Sequence, residues 1–151
     1  MRRSPPSKYE SNVLRQPQLI EAILAAPPPP WMARLRRCPI HFVGVGTSRH
    51  AAEIARVLWK RLVSPCSEAL HGFDFARLPQ SVGRGDVVAL LSHRGGAGSF
   101  TVEAARKAHD AGAVTVAITG RGAVWDETLA HVLECCEMED SGAFTKSFTT
   151  T

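Results

Sequence analysis

The sequence predicts an α/β fold: a three-layer sandwich with a mostly parallel sheet of about five strands, preceded by an N-terminal helical arm. Three observations predict it. Short runs such as Val87-Val88-Ala89-Leu90-Leu91 are apolar throughout, as strands buried on both faces must be. These runs alternate with segments whose apolar residues recur at helical spacing. Polar, glycine-rich turns stand where the runs end and the helical segments begin, as in Ser92-His93-Arg94-Gly95-Gly96.

In chain order, residues 9 to 26 carry Val13, Leu14, Leu19, Ile20, Ile23 and Leu24 at helical spacing. Pro17 is expected to divide this stretch, or to start a second helix at its first turn. Pro27 to Pro30 stop any helix and form a stiff, extended spacer. Residues 1–37 therefore read as an arm too short to own a core, and residues 38–151 as the domain. A strand is expected over residues 40–45 and a helix from about Thr47 to Val63, with Ala51, Ala55, Leu58, Trp59 and Leu62 on its inward face. Residues 67–72 form a fainter strand, and Val87 to Leu91 a clear one. A helix follows over 99–111, with Ser99 as its N-cap, Glu103 near its positive end and Gly112 as its stop. Residues 113–119 and 131–138 complete the strands, and no internal repeat is evident.

Composition narrows the function. A chain of 151 residues with 44% hydrophobic content is enough for one domain with a sizeable core. No apolar run approaches the roughly 20 residues that span a bilayer, so no membrane partner is expected. The basic start, Met1-Arg2-Arg3-Ser4-Pro5-Pro6, has no apolar stretch behind it, which argues against a secretory leader. Four cysteines without a regular framework point to a reducing, cytoplasmic setting. The net charge of +4 is modest. Its densest cluster, Arg34, Arg36 and Arg37, has no interleaved aromatic residues, so a nucleic-acid partner is not expected.

In a parallel sheet, ligands bind beyond the carboxyl ends of the strands, where helices start. Three polar segments are expected there: Gly44-Val45-Gly46-Thr47-Ser48, Ser92 to Ser99, and Ser141 to Thr150. Each helix start offers backbone N–H groups and a partial positive charge that suit a phosphate, and the hydroxyls add neutral hydrogen bonds. Taken singly, Thr47 and Ser99 serve equally well as helix caps. Gly44-x-Gly46 also raises a dinucleotide-binding reading, but Arg49 stands where the third glycine of that motif belongs, and no acid ends the second strand to hold a ribose. Cys135 and Cys136 are adjacent, and neither C-x-x-C nor H-E-x-x-H occurs, so no metal site is implied.

The segment Val43-Gly44-Val45-Gly46-Thr47-Ser48-Arg49-His50-Ala51-Ala52 resembles the opening motif of the sugar isomerase (SIS) domain family, whose fold is flavodoxin-like. Leu90-Leu91-Ser92-His93-Arg94-Gly95 lies where that family has its sugar-phosphate loop. The segment from Glu139 to Thr150 resembles the E…STKAFTT stretch of the first SIS unit in the isomerase half of glutamine–fructose-6-phosphate aminotransferases. Tyr9-Glu10 through Gln16-Pro17 is similar to the helical lead-in of that unit. The likeness implies binding of a sugar phosphate of the hexose 6-phosphate type by Gly46, Thr47, Ser48, Ser92, His93, Arg94 and Gly95, with Ser99 and Lys146 beside them. It further implies a homodimer with sites near the subunit interface, and neither a metal nor an organic cofactor. Catalytic residues are not identified. In the family the glutamate and histidine for proton transfer come from a second SIS unit, so this chain is expected to be a binding half. Two departures bear on the pocket. Arg94 and Ala97 replace hydroxyl residues of the family's phosphate loop, and Phe144 stands where a serine meets the sugar. Arg94 offers either a charge-assisted phosphate contact or a solvent-facing charge. A phosphosugar-sensing regulatory domain and a dinucleotide-binding enzyme are the alternative readings.

Overall fold

The computed structural model describes residues 5–139 together with 149 and 150. Ten elements follow in the order α1 (Lys8–Ala25), α2 (Met32–Leu35), β1 (Ile40–Gly44), α3 (Thr47–Leu62), β2 (Ser67–His71), α4 (Gly72–Arg77), β3 (Val87–Leu91), α5 (Phe100–Asp110), β4 (Val114–Arg121) and β5 (His131–Glu137). All four strand pairings are parallel, and the sheet order is β2-β1-β3-β4-β5. The predicted three-layer architecture is the observed one.

Its core is divided by the sheet. On one face α3 sets Ala51 and Ala52 against Ile40, Phe42, Val87, Ala89, Leu91 and Val116, and Trp59 meets Phe42 edge-on at 5.9 Å. On the other, Phe75 of α4 and Ala104, Ala105 and Ala108 of α5 close over Val43, Val88 and Leu90. β3 is buried at every position, which is why it reads as an unbroken apolar run. Each fully buried Leu or Val contributes about 1.5–3 kcal/mol by leaving water.

Two expectations need correction, and two further features go beyond what the sequence shows. α1 does not divide at Pro17: it is one helix of 18 residues that runs through the proline. The hydrogen bond that Pro17 cannot make would go to the Val13 carbonyl; both residues are exposed, so water can take that carbonyl. The start of α1 is fixed by a capping box in which Ser7 and Glu10 bond reciprocally, and those bonds lower the Glu10 carboxyl below its ordinary pKa. Second, Leu58 and Leu62 do not face the core but are 50% and 69% exposed. Small alanines draw α3 close to the sheet, and the helix turns its larger residues, apart from Trp59, outward. Third, two short helices, α2 and α4, follow segments read as a spacer and a strand. Fourth, the arm contributes to the core: Leu35 is buried, Trp31 packs beside it, and the Trp31 ring stacks on His131 at 4.5 Å.

Strand ends shift by a residue or two, and β5 bulges. Thr119 pairs with Glu134 but Gly120 with Cys136, leaving Cys135 as the extra residue. All four cysteines are free. Burial, with Cys136 adding to it, pushes the Cys135 thiol up to about 11, so it is not a thiolate near neutrality. Among the described residues no group of His, Cys, Asp and Glu is arranged to hold a metal.

Candidate functional site

The strand order places a crevice between β1 and β3. From β1 the chain moves outward through α3 to β2; from β3 it moves the opposite way through α5 to β4, on the other face of the sheet. β1 and β3 are neighbours, with Gly44 in register with Leu91, so the loops that leave them stand side by side and diverge. Sheets of this order bind ligands at that switch point.

The first wall is the turn from β1 into α3. Gly44 lets the helix touch the strand end, because a Cβ there would lie 2.4 Å from the Ser48 carbonyl oxygen. Gly46, not Thr47, is the N-cap, with φ 60° and ψ −128°, a backbone region that side chains disfavour. Glycine offers no side-chain cap, and among the described residues the N–H groups of Thr47 and Ser48 form no hydrogen bond. Thr47 is exposed and Ser48 half-buried, so amides and hydroxyls open together on the crevice at the positive end of a 16-residue helix. Arg49 does not point into this cradle: it pairs with Glu53 one turn on, at 2.7 Å.

The second wall is the β3–α5 loop, which is laced to its neighbours. The Ser92 hydroxyl accepts the Gly95 N–H at 3.2 Å, while the Ser92 carbonyl accepts the Thr119 hydroxyl at 2.6 Å. Gly96 N–H donates to the Val124 carbonyl, and Val124 N–H returns to the Arg94 carbonyl. Gly95 is left-handed, and a Cβ on it would sit 2.3 Å from the Val124 oxygen. Ser99 caps α5 by accepting from Val102 N–H. Within this rigid loop the amides of Ala97 and Gly98 make no hydrogen bond among the described residues, and both residues are exposed.

His93 and Arg94 turn toward the end of β5. His93 Nε2 accepts the Glu139 N–H at 2.6 Å, and Arg94 donates to the Glu139 carbonyl at 3.4 Å. Glu139 itself is fully buried, not a surface acid, and one of its carboxyl oxygens accepts from the Asn12 amide of α1 at 3.3 Å. Arg15 adds an ion pair to Glu137 at 2.9 Å. The arm, the β3–α5 loop and the end of β5 thus meet at Glu139.

The predicted site residues therefore separate. Gly46, Thr47, Ser48, Ser92 and Gly95 line the crevice. Ser99 is a helix cap, while His93 and Arg94 hold the main chain of Glu139. Lys146 and Phe144 lie outside the described residues. Sequence reasoning missed the tie from Asn12 to Glu139 and the open amides of Ala97 and Gly98. The second had a signal in Gly95, Gly96 and Gly98; the first had none.

No protein-family model and no curated protein sequence matches the chain. Solved structures do. The C-terminal domain of glucosamine-fructose-6-phosphate aminotransferase from Francisella tularensis superposes with a TM-score of 0.74 at 20% identity, over 97% of this chain and 44% of that one. A protein of Escherichia coli CFT073, solved in complex with A5P, gives 0.73 at 16% identity, over 94% of this chain and 80% of that one. Tagatose-6-phosphate ketose/aldose isomerase from Escherichia coli gives 0.72 at 16%, over 95% and 45%. The chain thus spans under half the length of two of these three. By fold it resembles the SIS domains of phosphosugar isomerases and of the aminotransferase's C-terminal domain.

Proposed function

We propose that the chain binds a sugar phosphate of the hexose 6-phosphate type, as one SIS unit of an aldose–ketose isomerase or a glutamine–fructose-6-phosphate aminotransferase-like protein. One observation carries the reading: at the switch point between β1 and β3, a glycine-capped helix start and a glycine loop present amides that are unbonded among the described residues, beside the hydroxyls of Thr47, Ser48 and Ser92. Phosphate sits on the amides of Thr47, Ser48, Ala97 and Gly98, and the sugar extends toward Ser92. Neighbours of the same fold, one solved with A5P and one a tagatose-6-phosphate ketose/aldose isomerase, support this ligand class. The unit works as a homodimer in the cytoplasm, without metal or organic cofactor.

A specific observation favours binding without chemistry in this unit. Among the described residues the two crevice loops carry two titratable groups, His93 and Arg94, and both are engaged with Glu139. Isomerisation needs a base beside the reacting carbons, and in this reading that base comes from another unit.

Thermal melting with fructose 6-phosphate, glucosamine 6-phosphate, inorganic phosphate and NAD in parallel tests the proposal, since a ligand of the folded state raises the midpoint with dose. The expected result is stabilisation by a hexose phosphate beyond phosphate alone, weakened in Ser48→Ala. Equal shifts with phosphate and sugar phosphate would reduce the site to an anion cradle, and protection by NAD alone would favour the dinucleotide reading.

A further inference from the structure

A third wall stands beside the cradle, and it is aromatic. Phe73 lies in the first turn of α4 and Phe100 begins α5; their rings meet edge to face, with centroids 5.0 Å apart and planes at 86°. Both helices start at the end of the parallel sheet where the crevice opens, since α4 follows β2 and α5 follows β3. Gly72 brings α4 against the turn that leaves β1: a Cβ there would lie 2.6 Å from a methyl of Val45. Phe100 directly follows the cap Ser99 and lies two residues beyond Gly98, whose amide is open among the described residues. The aromatic pair thus bridges the two crevice loops, from Val45 to Gly98. Phe73 is 44% exposed, Phe100 36% and Val45 37%. Scattered apolar residues on a surface need no explanation, but three together beside a polar cradle mark a binding patch. The patch is also held in place. Arg77 lies 5.7 Å from the centroid of the Phe100 ring and is itself fixed by Glu103 at 2.9 Å, so binding has less ring motion to arrest.

We propose that Val45, Phe73 and Phe100 form a shelf for an apolar substituent of the bound sugar phosphate, so that the chain prefers an N-acetylated amino sugar phosphate. The proposal rests on the sugar-phosphate reading above and deepens it by naming the substrate class. The amides and hydroxyls of the cradle serve the phosphate and the sugar hydroxyls. The shelf offers carbon side chains alone. A hydroxyl set against it loses water and gains no partner. An acetyl methyl gains by leaving water, and its amide is flat enough to lie on a ring while the polar atoms stay at the solvent edge. An unacylated amino sugar brings an ammonium instead. One side of Phe100 is already taken by Arg77, and that guanidinium repels a second cation.

Isothermal titration of the full chain with N-acetylglucosamine 6-phosphate, glucose 6-phosphate, glucosamine 6-phosphate and inorganic phosphate tests the assignment. The acetylated sugar should bind about fivefold more tightly than glucose 6-phosphate, as transfer of a small apolar group from water allows. Glucosamine 6-phosphate should bind more weakly than either. Phe73→Ala should bring the ratio between the acetylated sugar and glucose 6-phosphate close to one. Arg77→Gln, a change at an exposed side chain, should narrow the gap between glucosamine 6-phosphate and glucose 6-phosphate without disturbing the fold. Equal affinity of the wild type for the three sugar phosphates, or a preference that survives Phe73→Ala, overturns the shelf and leaves the sugar-phosphate reading standing. Binding of none of them beyond inorganic phosphate overturns that reading and the shelf together.

Discussion

Helices α3 and α5 begin at the same crevice with different caps. α5 is capped by a side chain: Ser99 accepts from Val102 N–H, its carbonyl takes the Glu103 N–H, and Glu103 itself is held by Arg77 at 2.9 Å. α3 begins on Gly46, which has no side chain to spend; the first two amides of both helices are unbonded among the described residues, but those of α3 belong to the exposed Thr47 and half-buried Ser48, whereas Thr101 in α5 is buried. The two starts look alike in sequence, a glycine or two followed by hydroxyls. What separates them is which residue takes the N-cap position. A hydroxyl at the cap is consumed by the helix; a hydroxyl one position later, behind a glycine cap, is offered outward. The comparison assigns anion binding mainly to α3 and leaves the β3–α5 loop as a rigid wall with two open amides.

The largest effect that sharpens this contrast is expected at the glycines of the α3 start. Gly44→Ala puts a Cβ 2.4 Å from the Ser48 carbonyl oxygen, in backbone that cannot yield without moving the helix. A loss of about 3 kcal/mol in chemical denaturation is expected. Gly46→Ala meets nothing within 4 Å, and its cost is conformational, about 1–2 kcal/mol. Equal costs at the two positions would break the account of how α3 is held against β1.

Next is the clamp on the other wall. His93→Ala removes the acceptor of the Glu139 N–H and should cost about 2 kcal/mol. His93→Gln, which supplies an acceptor of similar reach, should recover part of that loss. If His93→Ala abolished ligand binding without loss of stability, His93 would be a ligand group and not a clamp.

The capping contrast is smaller and more specific. Ser99→Ala should lower stability by about 1 kcal/mol and leave hexose phosphate affinity unchanged. Thr47→Ala should change stability by less than about 0.5 kcal/mol, yet weaken binding roughly tenfold by removing a hydrogen bond to a charged group. Reversal of this pattern would place the anion on α5.

Smallest is the response to acid. Hydrogen bonding from Arg56 lowers the Glu53 carboxyl below its usual 4.5. Burial pushes Asp126 up, but bonds from Thr128 and Arg106 outweigh it and hold the group below its usual 3.8. Both are depressed in the folded state, so their contribution is complete above the unfolded values and is lost as pH falls through the folded ones. The denaturation midpoint should therefore be flat above pH about 5 and decline below about 4.

Much of the frame is legible from residues alone. β3 announces itself because a strand covered on both faces has no polar positions to interrupt it, and β1 is interrupted by His41 alone. Gly112 marks the end of α5, and it sits at φ 84° just past the helix. The misreadings have physical causes. Helical spacing identifies apolar residues but not what they face, so it points Leu58 and Leu62 at a core that α3 fills mainly with alanines. α4 has six residues, too few for a period to show. A proline inside a helical stretch is expected to break it, but at Pro17 the missing hydrogen bond lies on an exposed side and goes to water. The tie between His93 and Glu139 joins residues 46 apart in sequence, and that between Asn12 and Glu139 residues 127 apart. No local pattern carries such contacts; only the closed fold brings them together.

The most direct test of the central claim is an amide NMR titration of the full chain with fructose 6-phosphate. The account predicts that the largest shifts fall on the N–H groups of Thr47, Ser48, Ala97 and Gly98, with smaller ones at Ser92 and little change at Val102 and Glu103. Shifts centred on the start of α5, or an unperturbed crevice at millimolar ligand, would contradict it.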